Sequence, residues 1–484
     1  MALKIIMLVA FFAVMIGVGF YCRKEAQNVD GFVLGGRKVG PWLTAFAYGT
    51  SYFSAVVFVG YAGQFGWKYG IASTWAGIGN AVIGSLLAWI ILGKRTRIMS
   101  RTLNSSTMPD FFGKRFDAKS LKIGASIITF VFLIPYTASL YNGLSRLFGM
   151  AFNIDYTICV IIMAVLTGVY VIAGGYMATA INDFIQGIVM LGGIVAVIIA
   201  VINGKGGFAS AFAQMTQVSD PSVGAEQGAF ASIFGPDPIG LLGVVILTSL
   251  GTWGLPQMVQ KFYAIKDESA IKKGTIISTI FALVVAGGCY FLGGFGRLFA
   301  DQIDVKAGGY DSIIPTMLSG LPDILIGIVV ILVLSASMST LSSLVLTSSS
   351  TITIDLVNEA KKKKMSDKSQ VLLMRVLIVV FIALSVIIAI VQYKSNVTFI
   401  AQLMGISWGA LAGAFLAPFL YSLFWKGTTK AACWVNFVFS VAFMLIDLFG
   451  NLTGAQILPV LLRSPINAGA FCLSLIHISE PTRQ

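Results

Sequence analysis

Long apolar runs recur along the whole chain, separated by shorter stretches rich in glycine, proline and charge. Runs near residues 3–22, 42–62, 72–93, 121–143, 154–177, 181–202, 238–260, 274–298, 323–357, 371–393, 398–425 and 430–450 are each long enough for a helix to cross hydrocarbon, which takes about 20 residues. Their length and low charge predict an all-α, polytopic membrane protein with about 12 to 13 transmembrane helices. The thirteenth is the least regular, because its apolar stretch is interrupted at Arg463-Ser464-Pro465.

Two spans carry helix-breaking sequence in their middles. The first reads Tyr48-Gly49-Thr50-Ser51-Tyr52-Phe53-Ser54, and the second Gly251-Thr252-Trp253-Gly254-Leu255-Pro256. Proline cannot donate to the helical ladder and glycine eases the backbone out of it, so both segments expose carbonyls at membrane depth. Irregular backbone is tolerated there only inside protein or beside a polar cavity. The two breaks occupy corresponding places in consecutive sets of five spans, the pattern of an inverted-repeat transporter, against the plainer alternative of a bundle of kinked helices. A third polar feature lies in Leu334 to Leu341, where Ser335, Ser339 and Ser342 fall on one helical face with Thr340 beside them. Such hydroxyls either bond back to carbonyls a turn earlier at tight helix contacts, or present neutral oxygens to a hard monovalent cation.

Hydrophobic residues make up 57% of 484 positions and charged ones 11%, which fits the membrane class. The net charge of +13 is distributed by loop rather than by patch. Lys94, Arg95, Arg97, Arg101, Lys114, Arg115, Lys119 and Lys122 fall in one connection, Lys261, Lys266, Lys272 and Lys273 in a second, and Lys361 to Lys364, Lys368 and Arg375 in a third. Asp301, Asp304, Asp311 and Asp323 fall on the other side. The positive-inside rule then places the N-terminus outside and assigns the charge to orientation and anionic lipid, with no nucleic acid as partner. No small-x-small cleavage site follows the first run, which is expected to stay as a span. Cys22, Cys159, Cys289, Cys433 and Cys472 are scattered singly and read as packing residues. His477 is the one histidine, so neither histidine chemistry nor a catalytic set is expected, and the chain does not read as an enzyme.

Several segments together resemble the sodium/solute symporters, in particular their bacterial sodium/pantothenate and sodium/proline branch. Ala173-Gly174-Gly175-Tyr176-Met177-Ala178-Thr179-Ala180-Ile181-Asn182-Asp183-Phe184-Ile185-Gln186-Gly187 is similar to the family signature. Phe32 to Arg37, Tyr136 to Ser139 with Arg146-Leu147-Phe148, and Gly254-Leu255-Pro256 with Lys266-Asp267 follow in the expected order, and the resemblance covers about residues 28–450. It implies a LeuT-like core of two inverted five-helix repeats. The chain then divides into an extra helix and loop (1–41), a first repeat (42–202), an extracellular loop (203–237), a second repeat (238–425), a C-terminal helix region (426–462) and a tail (463–484) expected to be truncated or non-native.

The same resemblance implies a sodium ion held by the carbonyls of Thr50, Phe53 and Ala336 and the hydroxyls of Ser339 and Thr340, a shell of dipoles suited to a coupling ion. Asp183 matches an aspartate on the inward ion route, though a helix N-cap explains it equally well. Asp355 and Asp447 are expected at the membrane interfaces. Tyr136, Trp253 and Thr252 are candidates for the solute wall, and Tyr52 stands where the proline branch has an aspartate. That departure, with Ser51-Tyr52-Phe53-Ser54-Ala55 and Lys68-Tyr69-Gly70, favours a carboxylate-bearing solute such as pantothenate. The alternatives are proline, another amino acid or a monocarboxylate. No organic cofactor is implied, and the expected setting is the bacterial inner membrane. A transporter-like membrane sensor is the alternative from another class.

Overall fold

In the computed structural model the described residues are 2–152, 154–395, 400–454, 457–459, 462 and 465–474. Among them the chain is helical almost throughout and contains no strand beyond two isolated bridges. Among the described residues nine helices are long and apolar enough to cross a membrane, and the bent pair Pro238–Gly254 and Pro256–Ala264, at 48°, makes a tenth crossing. Two of the nine, Val56–Thr102 and Tyr156–Asn203, hold 47 and 48 residues. Straight, each would measure about 70 Å, more than twice the hydrocarbon thickness of about 30 Å. Each is instead broken at a glycine of positive φ, Gly70 (61°) and Gly175 (54°). A Cβ there would lie 2.1 Å from Phe230 O or 2.9 Å from Phe32 O, so only glycine fits. Taken as two crossings each, they give the twelve that the apolar runs imply.

The elements that build the centre are α1 (Ala2–Tyr21), α2 (Pro41–Tyr52), α3 (Ala62–Tyr69), α4 (Lys119–Phe152), α5 (Tyr156–Asn203), α6 (Pro238–Leu250), α7 (Pro256–Ala264), α8 (Glu268–Gly294), α9 (Asp323–Thr351) and α10 (Ile400–Phe424). Helix α9 is the axis of the bundle. From Ser335 to Thr351 every residue is buried, hydroxyls included, because the helix is packed against α5, α4, α2, α1 and the helix Asp367–Ser395. Close packing also relies on glycine: a Cβ on Gly66 would lie 1.9 Å from Gly293 O, and one on Gly293 would lie 2.0 Å from Ala62 O, so α3 and α8 touch backbone to backbone. All five cysteines are free and buried.

Several expectations change. Asp183 does not cap a helix: it lies eight residues past the Gly175 break, inside α5, and is fully buried. Lys261 is not part of an exposed basic connection, since it closes α7 inside the protein, facing Asp183. Asp355 and Asp447 lie near the ends of their helices and are buried within the protein. Asp355 accepts from Thr107 at 2.6 Å and stands 3.6 Å from Lys122 Nζ, which also reaches Asp110 at 2.8 Å and Glu359 at 3.4 Å; this pairing offsets the desolvation of its charge. In the segment expected to be a disrupted tail, Pro465–Ser474 is a helix packed on α6 and α10. Residues from 475 on, with His477, lie outside the described residues, as do Arg463 and Ser464.

Candidate functional site

The first break falls after Tyr52. Phe53 is extended (φ −98°, ψ 97°) and the helix resumes beyond Ser54 through a wide turn, Val56–Tyr61. Gly49 is not the hinge. It stays helical, and its missing Cβ admits Phe281, whose ring carbon would stand 2.4 Å from one. The last carbonyls of α2 have no further turn to accept from, and the negative end of its dipole points at the break. Thr50 O there meets α9: Ser339 Oγ donates to it at 3.1 Å and Thr340 Oγ1 at 3.2 Å. Both hydroxyls also reach Ala336 O, at 3.2 and 3.1 Å, and Ser339 Oγ reaches Ser335 O at 2.8 Å.

Four of the five oxygens named from the sequence therefore converge, with Phe53 at the unwound turn beside them. Oxygens around a hard cation bound at about 2.4 Å stand roughly 3.4 Å apart, close to the spacing seen here. With a cation present, each hydroxyl can keep its proton on a carbonyl of its own helix and turn its lone pairs, like those of Thr50 O, toward the ion. The cluster has no fixed charge of its own, so it can take up and release a monovalent cation readily.

One helical turn further along α9, Ser343 Oγ bonds Ser51 Oγ at 2.7 Å and accepts from Lys261 Nζ at 2.9 Å. Asp183 Oδ2 lies 3.8 Å from that ammonium. The neighbouring signature residues serve packing: Asn182 donates to Met15 O at 3.2 Å and Gln186 to Met15 Sδ at 3.3 Å, holding α1 against α5. Asp267 caps α8 through Ala270 N at 2.7 Å.

Of the solute candidates, Tyr52 and Tyr136 are brought together by a third ring. Trp408 on α10 stacks on Tyr52 (centroids 5.8 Å, 22°) and meets Tyr136 edge-on (5.9 Å, 84°). Tyr52 OH donates to Thr248 O beside the second break. Thr252 Oγ1 bonds Ser249 O at 2.9 Å and Gly84 O at 3.2 Å, and Tyr48 OH shares that Gly84 carbonyl at 2.8 Å. Trp253 donates its indole N–H to Ile83 O at 3.0 Å, which directs it to the neighbouring helix. Tyr136 OH and Trp408 Nε1 are buried close to each other and to Ser54, without a well-formed hydrogen bond. Trp408 was missed in the sequence, where Ser407-Trp408-Gly409 reads as ordinary span; the one signal was a tryptophan far from either end of an apolar run.

Two helices broken at membrane depth, a charge-free oxygen cluster at one break and a buried aromatic cluster between them define a membrane carrier of the inverted-repeat kind. The profile of the sodium:solute symporter family matches residues 32–437, and the chain belongs to that family. It is 29% identical over 446 residues to the osmoregulated proline transporter OpuE of Bacillus subtilis (strain 168), covering 91% of this chain and 88% of that one. It is also 29% identical over 436 residues to the sodium/proline symporter of Staphylococcus aureus (strain JH9), covering 88% and 82%. A substrate-bound, outward-open structure of a Na+-coupled sialic acid symporter superposes with a TM-score of 0.77 at 18% identity, covering 98% of this chain and 96% of that one, which establishes the LeuT-like fold. The protein is a sodium-coupled solute symporter of a multi-pass membrane fold.

Proposed function

We propose that this carrier imports a small amino acid, with proline as the first candidate, together with sodium held by Thr50, Phe53, Ala336, Ser339 and Thr340. The observation that carries the ion site is the convergence of Ser339 Oγ and Thr340 Oγ1 on Thr50 O at the first break. The named relatives are proline carriers, which favours proline over pantothenate as the solute. The solute lies between the breaks against Tyr52, Tyr136 and Trp408, with Thr252 on the second break. Its carboxylate is received at the positive dipole end of a half-helix, at Pro256 or beyond Ser54, without an arginine.

Sodium joins α2 to α9 across the break. Its binding therefore favours the arrangement in which the chamber walls are formed, and solute and ion strengthen each other's binding by the same factor. Asp183 then lies on the inward side of the ion. The setting is a bacterial inner membrane with the basic loops inside and the N-terminus outside.

The test is uptake of labelled proline and pantothenate into sealed proteoliposomes under an inward sodium gradient, with potassium-only controls. Sodium-dependent accumulation of proline is expected. Accumulation of pantothenate alone would overturn the solute assignment, and uptake indifferent to sodium would overturn the ion site.

A further inference from the structure

Lys261, in the last turn of α7, is fully enclosed, with 3% of its side chain exposed and 1% of that of Asp183. Its ammonium donates to Ser343 Oγ at 2.9 Å, stands 3.8 Å from Asp183 Oδ2 and lies 5.2 Å from the centre of the Tyr176 ring. Ser343 in turn bonds Ser51, the residue after Thr50, at 2.7 Å. A carboxylate, two hydroxyls and an aromatic face, brought from α5, α2 and α9, thus surround one position, and this is the ligand set of a monovalent-cation site. Both Asp183 oxygens lack a hydrogen-bond donor, so the carboxylate is balanced by charge alone, and the ammonium supplies it.

We propose that the space bounded by Asp183, Ser51 and Ser343 is a second cation site occupied in this chain by the Lys261 ammonium, which limits the carrier to one sodium ion per cycle. This rests on the sodium reading of the neighbouring oxygens Thr50, Ala336, Ser339 and Thr340. A tethered ammonium satisfies the carboxylate in every state of the cycle and never dissociates. It contributes the charge of an ion to the bundle without being transported. Taking the lysine away leaves a buried carboxylate without its counter-charge, and a free hard cation from solution is the natural replacement.

The experiment uses the purified full-length carrier, with radiolabelled sodium binding at equilibrium and thermal unfolding followed across sodium concentration, choline replacing sodium. The wild type is expected to bind one sodium with a Hill coefficient of about 1, and Lys261→Ala to bind two with a coefficient rising toward about 2. The variant should also gain a larger rise in melting temperature with sodium than the wild type. The double variant Lys261→Ala with Asp183→Asn lacks both the ammonium and the carboxylate, and should return to one ion and fold equally well in choline. Lys261→Ala binding one sodium with unaltered affinity would overturn the proposal. So would a single variant that stays unfolded at every sodium concentration while the double variant folds. A wild type that binds no sodium would overturn the first site instead; the second is still decided by whether Lys261→Ala gains an ion over the wild type.

Discussion

Ser339→Ala removes one of two hydroxyls from the proposed ion shell, and the structure sets the size of the effect. In the ion-free fold the change is mild. Thr50 O keeps the Thr340 hydroxyl at 3.2 Å, and Ala336 O keeps it at 3.1 Å, so no buried carbonyl is orphaned. Loss of one intrahelical hydroxyl bond costs about 1 kcal/mol or less. In the ion-bound form the change is larger, because a bond between a full charge and a buried dipole is worth roughly 1.5–3 kcal/mol. The sodium Kd should therefore rise roughly 10- to 100-fold, at about 1.4 kcal/mol per factor of ten. By reciprocal linkage, the gain in solute affinity that sodium confers should shrink at any fixed, subsaturating sodium concentration. Sodium titrations of initial uptake in proteoliposomes, paired with melting curves in sodium and in choline, measure both. Thr340→Ala should behave in the same way, whereas Thr340→Ser keeps the oxygen and should stay near wild type. If Ser339→Ala and Thr340→Ala both left the sodium dependence unaltered, the oxygens at the first break would not be the ion site.

Gly49→Ala drives a methyl to within 2.4 Å of the Phe281 ring; the overpacking should cost about 1–3 kcal/mol in a denaturation or melting assay, and weaken sodium binding by displacing the adjacent Thr50 carbonyl. Trp408→Phe keeps a ring beside Tyr52 and Tyr136 but loses the larger face and the indole N–H; the solute KM should rise up to about tenfold, in line with an aromatic contact of about 0.5–1.5 kcal/mol, with the sodium Kd unaltered. Outside the spans, the hydrogen bond from Ser222 and then that from Arg297, at 2.7 Å, hold the Asp220 carboxyl below its ordinary value. A depressed folded-state pKa means this contribution is present above the ordinary aspartate range near pH 4 and is lost as pH falls through the folded value. Arg297→Gln should therefore lower the melting temperature modestly at neutral pH, with the gap to the wild type closing as pH falls below about 4, as read by melting temperature against pH.

The local pattern of the sequence determined the class of the protein, because lipid imposes its rule on each span separately: every backbone group must be satisfied within the helix, so length and apolarity identify the crossings one by one. The two breaks were legible for the same reason, since Pro256, the glycines around it and the polar run Thr50-Ser51 are exceptions to a strict rule. Helical spacing grouped Ser335, Ser339 and Ser342 with Thr340 beside them, and the resemblance to the family singled out Ser339 and Thr340 among these hydroxyls. What faces them could not be read from spacing. That Thr50 O is the carbonyl they meet depends on helices some 290 residues apart in sequence packing face to face.

Tertiary structure alone decided the rest. Lys261 reads in sequence as one more basic loop residue and Asp183 as an ion-route aspartate or a helix cap, and only the packing of α7 on α2 and α9 brings the two together as a buried ion pair. Trp408 meets the rings of Tyr52 and Tyr136 only because α10 lies across both. Gly49 looked like a hinge, yet the backbone breaks four residues later, and its glycine answers instead to Phe281 on a distant helix. Periodicity reports which residues are hidden, while their partners come from long-range contacts that no local pattern encodes.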